Sequence, residues 1–245
     1  MRLGEITRND LDRSRTAWSI GDVERALELV RHPVDVLLDI GCGFGGLTAL
    51  VGAFVGASKL VGIDIDERAL LEARDKGVET LCMPVGEEPI SLEPHTVDLI
   101  TCFGMLDYLT FFDPAIEDMK RVLRPGGQIL VSLPNLAGWH NRWALMRGYQ
   151  LRDVEVSNHV VVGAHPHYRK RGLLELSGHI HTVTANGFDE LMRSHGFETR
   201  GMIGSSPGLY GSGRYRSIVS VIDRAMCRRP NLARRFIYVG VTPVL

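Results

Sequence analysis

The chain has 245 residues, 44% of them hydrophobic and 23% charged, with a net charge of −1. That is enough chain for one substantial core, and the near-neutral balance removes the electrostatic case for nucleic acid or an anionic membrane as partner. The four cysteines show no CxxC spacing and are expected to be reduced, cytoplasmic thiols; no signal-peptide pattern opens the chain, and no apolar run is long enough to span a bilayer.

The spacing predicts a first helix over 22–31, with Asp22 as its N-cap and Val23, Ala26, Leu27 and Val30 on one face. A strand over 35–39 follows Pro33. Its apolar run breaks at Asp39, and the turn beyond is dense in glycine: Gly41, Gly43, Gly45 and Gly46. A buried parallel strand delivers the backbone to the mouth of a nucleotide pocket in this way. Gly41 and Gly43 remove the Cβ atoms that would hold a ligand off the backbone. Gly45 and Gly46 let the next helix, over 45–55, start close against the strand. A carboxylate two places before the first glycine would repel a phosphate, and it suits a ligand that carries an ammonium group.

A second strand is expected over 59–64, then a helix over 67–76 capped by Asp66 and stopped by Gly77. A short third strand (79–83), a fourth (97–103), a helix (114–123) and a fifth strand (128–133) continue the alternation. This is the pattern of an α/β fold with a doubly wound, mostly parallel sheet. After Pro134-Asn135 the alternation stops. Residues 136–182 are rich in His, Arg, Gly and aromatics, with a short helix over 139–147. Long ordered loops tend to carry function, which favours a lid or pocket wall here over a solvated loop. A helix over 184–195, a strand over 198–203, an amphipathic helix over 215–228 and a last strand over 236–241 complete the reading. The amphipathic helix carries Ile218, Val221, Ile222, Ala225 and Met226 on one face.

Asp39-Ile40-Gly41-Cys42-Gly43 resembles motif I of the class I S-adenosylmethionine-dependent methyltransferases. Val61 to Asp66 resembles the family's second strand and Val97 to Phe103 its fourth. Val122 to Val131 resembles its "LkPGG" turn into the fifth strand. The segments keep the family's order over about residues 35 to 135, and the likeness is to its small-molecule, ubiquinone-biosynthesis-like group. The resemblance implies one domain with a seven-stranded sheet whose last strand is antiparallel, at the end of the sheet. Within it, 1–32 is a helical segment, 33–135 the cofactor core, 136–182 the acceptor-side insertion and 183–245 the closing elements.

The resemblance also implies S-adenosylmethionine as cofactor. Asp64 would accept both ribose hydroxyls, and Asp39 would face the methionyl ammonium, directly or through water. Backbone of Gly41, Cys42, Gly43 and the Cys102-Phe103 turn would complete that end. Many relatives hold adenine with an aspartate where this chain has Pro84, so backbone around Met83 to Val85 and apolar packing are expected to hold it instead, and Ile65 is also expected at the cofactor.

The reacting groups are less legible, because the cofactor brings most of the reactivity and the protein supplies alignment. Tyr108 stands where relatives often have histidine, and is either an acceptor-site residue or a packing tyrosine. His179-Ile180-His181-Thr182-Val183-Thr184 resembles an H-x-H-x-x-T approach to the last helix in related enzymes. His179 is there a pocket residue or general base, or equally a loop histidine bonded to backbone; His140 has the same standing. Arg142, Arg147 and Arg152 either clamp an acidic acceptor or form a solvated face. Trp139 and Tyr168 offer the insertion apolar walls. Two HxH pairs, His165/His167 and His179/His181, have no cysteine or carboxylate at a familiar ligand spacing, so no metal is expected.

Two rival readings stand beside this one. A nicotinamide-dependent oxidoreductase fits Gly41, Gly43, Gly46 and Asp64, against Asp39, the Arg124-Pro125-Gly126-Gly127 turn and the missing Tyr-x-x-x-Lys pair. A non-catalytic S-adenosylmethionine-binding module fits the replaced adenine contact. Thr101-Cys102-Phe103-Gly104 lacks the Pro-Pro motif of amino-purine and amide methylation, which leaves a small molecule methylated on oxygen, nitrogen or carbon. The oligomeric state is left open.

Overall fold

The computed structural model describes residues 20–31, 33–151, 153–164, 176, 178–206 and 216–244. Along the chain come α1 (Ile20–Leu27), β1 (Val36–Ile40), α2 (Gly46–Val55), β2 (Lys59–Asp64), α3 (Glu67–Arg74), β3 (Glu79–Cys82) and β4 (Val97–Phe103). A 3-10 turn (Leu106–Tyr108) leads to α4 (Asp113–Val122) and β5 (Leu123–Pro134). Then follow α5 (Trp139–Met146), α6 (Ala185–Ser194), β6 (Glu198–Ser205), α7 (Arg216–Met226) and β7 (Arg235–Val241).

The strands form one sheet in the order β3-β2-β1-β4-β5-β7-β6. The first five pair in parallel, and β7 runs antiparallel to both β5 and β6. The last strand is antiparallel as expected, but it is not at the end of the sheet. It lies between β5 and β6, and the reason is visible in its side chains. Phe236 and Tyr238 are buried on one face and Ile237 and Val239 on the other, so β7 must be covered on both sides. Half-exposed β6, with Thr199, Arg200 and Gly201, tolerates the edge.

Side-chain alternation along the strands divides the core into two layers. Leu38, Ile40, Ile63, Ile100 and Val131 pack with Ile116 and Met119 of α4 and Phe188 and Met192 of α6. Leu37, Leu99 and Leu130 point the other way, onto Val23 and Leu27 of α1 and Leu50 and Val51 of α2. Because α1 begins at Ile20, Asp22 lies inside its first turn and is not the N-cap. Its carboxylate instead accepts from Arg25 at 2.6 Å and from Ser205 Oγ at 2.9 Å, which ties the helix to the end of β6. Asp66 does cap α3, accepting from the amides of Arg68 and Ala69. The Arg124 to Gly127 turn is a break inside a longer β5, where pairing passes from Val97–Leu123 to Leu99–Gln128.

Beyond β5 the chain leaves the sheet and returns to the same place. Asn135 is bridged to Val183, and the Leu136 amide donates to the Val183 carbonyl at 3.0 Å. The Asn135 side chain donates to the carbonyls of Pro230 and Ala233. Residues 136–182 are thus an excursion from the C-terminal edge of the parallel strands, closed at its neck. The apolar side of α7 is not buried: Ile218, Val221 and Ile222 are exposed. Its inward residue is Asp223, which accepts from Trp139 Nε1, Ser206 Oγ and Arg234 Nε. A buried carboxylate needs such donors, and this one joins α5, α7 and the start of β7.

Candidate active site

Three of the loop glycines have left-handed backbone, Gly41 at φ 77°, Gly43 at φ 50° and Gly45 at φ 72°, but their surroundings differ. A Cβ on Gly45 would lie 2.8 Å from Ala73 Cβ, so this glycine lets α2 start against α3, rather than against the strand. A Cβ on Gly41 would lie 3.0 Å from Met105 Cβ, which brings the turn after β4 directly over the loop. A Cβ on Gly43 would meet nothing within 4 Å. Gly43 is therefore glycine beside open space, the position at which a ligand can approach the backbone.

Asp64, at the end of β2, holds that loop in place. Its Oδ2 accepts from the Gly43 amide at 2.8 Å and its Oδ1 from the Asp66 amide at 3.0 Å. Each oxygen keeps acceptor capacity for a further donor. The neighbouring Ile65 side chain is 73% exposed, an apolar surface next to an acidic one. Met83, whose amide donates to the Asp64 carbonyl, and Val85 are both buried at the end of β3. Cys42 and Cys102 are buried as well, with the Cys42 thiol packed against Gly62.

Asp39 is turned inward and is only 4% exposed. One carboxylate oxygen accepts from Thr48 Oγ1 at 2.5 Å and the other from Thr101 Oγ1 at 2.7 Å. Burial pushes its carboxyl up from 3.8 to about 6, although the two hydroxyls pull the other way and the Asp64 charge adds to the rise. Asp39 thus clamps β1, α2 and β4 together beneath the loop.

On the far side of the C-terminal edge, Asp107 and His179 meet. The two side chains are 1% and 10% exposed, with His179 Nε2 at 3.0 Å from Asp107 Oδ2. The Asp107 carbonyl also accepts from the amides of Ile180 (2.8 Å) and His181 (3.2 Å), so the returning chain is pinned to the turn after β4. The Tyr108 ring, 46% exposed, stands edge-on to His179 at 5.2 Å. Burial raises the Asp107 carboxyl, opposed by His179 and by the buried guanidinium of Arg235. Neither Asp107 nor Arg235 was visible as a site residue in the sequence. The acidic residue of Leu106-Asp107-Tyr108 was the one available signal.

The other candidates part company. His140 is partly exposed but its Nδ1 is buried, and desolvation, with the Arg234 charge, lowers its pKa to about 3, which does not suit a base at neutral pH. His181 Nε2 lies 2.6 Å from the Thr110 carbonyl, so the two histidines of this HxH pair are engaged separately. Among the described residues no group of three or more His, Cys, Asp or Glu is gathered as for a metal ion. Arg142 donates to the Ala137 carbonyl and Arg147 lies over the Trp143 ring, which leaves neither aimed as a clamp. Arg152, His165, His167 and Tyr168 lie outside the described residues. A cavity of about 560 Å³ lined by Val36, Lys59, Val61, Ile90, Leu92 and Thr96 sits at the opposite, N-terminal edge of the strands, away from all of this.

A seven-stranded, mostly parallel sheet in this order, with one antiparallel strand and helices on both faces, has the class I methyltransferase fold. Residues 38–131 match the family described as Methyltransferase domain, and the cofactor that goes with such a domain is S-adenosylmethionine. The chain is 29% identical over 136 residues to a ubiquinone biosynthesis O-methyltransferase of Photobacterium profundum, covering 54% of this chain and 55% of that protein. It is 35% identical over 132 residues to the protein of the same name from Pseudomonas putida (strain W619), covering 52% and 53%. The chain thus spans about half the length of the curated relatives it matches. A putative methyltransferase in complex with the Haloferax volcanii Trm112 activator shares the fold, with a TM-score of 0.64 and 16% identity over 96% of this chain and 93% of that one. So does a possible histamine N-methyltransferase from Thermotoga maritima, with a TM-score of 0.59 and 14% identity over 96% and 95%.

Proposed function

We propose that this protein transfers a methyl group from S-adenosylmethionine to a hydroxyl group of a small-molecule acceptor. The observation that carries the reading is the open cradle at Gly43, held against the carboxylate of Asp64. That donor set fits the cofactor: a carboxylate with spare acceptor capacity suits a ribose diol, and an unobstructed backbone suits the amino acid end. When bound, S-adenosylmethionine would supply a methyl carbon activated by its sulfonium, with a neutral thioether as the leaving group.

The chain's own part is placement and charge. Asp64 takes the ribose hydroxyls. Ile65, Met83 and Val85 wall the adenine with apolar surface. Backbone of Gly41, Cys42, Gly43, Cys102 and Phe103 lines the methionyl end, where the Asp39 charge favours an ammonium. Residues 136–182, closed at the Asn135–Val183 neck, cover the acceptor side and exclude water. Oxygen as the methylated atom is supported by the relatives, which are named ubiquinone biosynthesis O-methyltransferases. The four cysteines are free, which suits a reducing, cytoplasmic setting, and among the described residues no helix is long and apolar enough to cross a membrane.

The test is to incubate the protein with methyl-labelled S-adenosylmethionine and a panel of phenols and catechols, with products read by mass spectrometry. The expected result is a labelled methyl ether. Cofactor binding without transfer to any acceptor, in the panel or in cell extract, would replace this reading with that of a binding module.

A further inference from the structure

We propose that Asp107 and His179 form a base dyad, in which Asp107 fixes the imidazole proton on Nε2 and leaves Nδ1 to accept the proton of the acceptor hydroxyl. The inference rests on the methyl-transfer reading of the site and deepens it, by assigning the base and its tautomer.

The geometry supplies each part. A carboxylate charge 3.0 Å from Nε2 favours the tautomer with its proton on that nitrogen, since the N–H dipole is drawn to the negative oxygen. In a neutral ring the lone pair then sits on Nδ1. Among the described residues that atom is buried and has no hydrogen-bond partner, and the same holds for both carboxylate oxygens of Asp107. The Nε2 approach is close in distance but off the line of a good hydrogen bond. A small ring rotation aligns it, as catalytic pairs do when the complex forms. A buried, unpaired imidazole nitrogen is costly unless something comes to it.

The pair also stands in the right place. Asp107 follows β4 by one short turn, and Met105 of that turn lies over Gly41, beside the open position at Gly43. Gly178, one residue before His179, has its Cβ position 3.5 Å from the Tyr108 ring. Backbone bonds from Ile180 and His181 to the Asp107 carbonyl fix the spacing of the two side chains. The charged and titratable groups about Asp107 are Arg235 from β7, together with Asp153; Tyr108 flanks the imidazole. His181 is held by the Thr110 carbonyl and is not available for the same work.

In the proton step the acceptor O–H bond breaks, an N–H bond forms at Nδ1, and the electron pair stays on the oxygen that attacks. The imidazolium is then held against the Asp107 carboxylate. His179 touches the acceptor, and Asp107 is a positioning residue that acts through it.

The test begins with the ring nitrogens of His179 in the intact protein, read by heteronuclear NMR at a pH where the ring is neutral. The expected result is a protonated Nε2 and an unprotonated Nδ1; a neutral ring with its proton on Nδ1 overturns the proposal. Activity is then read with catechol as the probe acceptor. His179→Gln should bind S-adenosylhomocysteine as wild type does, and lose about a hundred-fold or more in kcat together with the rising limb of the pH profile. Asp107→Asn should lower kcat with KM unchanged and shift the tautomer balance. Unchanged kcat in His179→Gln overturns the dyad while leaving the methyl-transfer reading intact. A wild-type protein that binds no cofactor defeats that reading instead, and the NMR result still decides the tautomer.

Discussion

Replacing Asp39 by asparagine should stabilise the ligand-free protein at neutral pH. The carboxyl is buried, with its pKa raised from 3.8 to about 6. Between those values the folded state holds the proton more firmly than the unfolded chain does, so stability falls as pH rises through that window. Above about pH 6 the buried charge costs the full difference, about 3 kcal/mol. An amide fits the same niche, since Thr101 or Thr48 can donate to its oxygen while the other hydroxyl accepts from its nitrogen. The variant should therefore exceed wild type by about 2–3 kcal/mol at pH 7.5, with the gap closing toward pH 4. Urea denaturation of the ligand-free protein across that range measures it. A variant less stable than wild type at pH 7.5, or a gap that does not depend on pH, would refute the reasoning. On the proposed reading, in which the Asp39 charge favours the methionyl ammonium, the same variant should bind S-adenosylmethionine more weakly.

Other expectations follow from neighbouring residues. Asp64→Ala should weaken S-adenosylhomocysteine binding by about 1.5–3 kcal/mol, measured by calorimetry, and should also loosen the Gly43 amide it holds. Gly45→Ala and Gly43→Ala should separate stability from binding. The first meets Ala73 at 2.8 Å in left-handed backbone and should cost about 2–4 kcal/mol in denaturation. The second has open space, should cost about 1–2 kcal/mol, and should abolish cofactor binding by filling the cradle. Amide exchange over 153–164 and 178–182 should slow when cofactor and acceptor bind together; protection confined to the sheet would show that the excursion is no cover.

Much of the sheet was legible because its strands are continuous apolar runs. Lys59–Asp64 and Val97–Phe103 fall where the spacing puts them, as does the Asp66 cap. The place of β7 was not legible: periodicity shows that a strand is buried, not which strands flank it. Asp39 and Asp64 could be picked from their position before and after the glycine loop. What Asp39 does there depends on Thr48 and Thr101, which come from two other elements. The Asp107–His179 cluster was hardest, since Asp107, His179 and Arg235 come from a turn, a returning loop and the last strand. Only the fold brings them together. His140 shows the converse: the sequence offers an imidazole, and desolvation beside Arg234 takes its basicity away.

The bridge between Asn135 and Val183 has a consequence for how such a chain can change. With the two ends of the excursion fastened to each other and to the carbonyls of Pro230 and Ala233, the sheet is indifferent to what lies between them. Doubling the length of the intervening chain would add only about 0.6 kcal/mol of closure entropy. That intervening segment can be lengthened, shortened or exchanged while β5, β7 and the glycine loop keep their register. On the proposed reading, acceptor choice is in this sense a detachable property of the fold, and a graft from a relative made at these two residues would be the natural way to alter it.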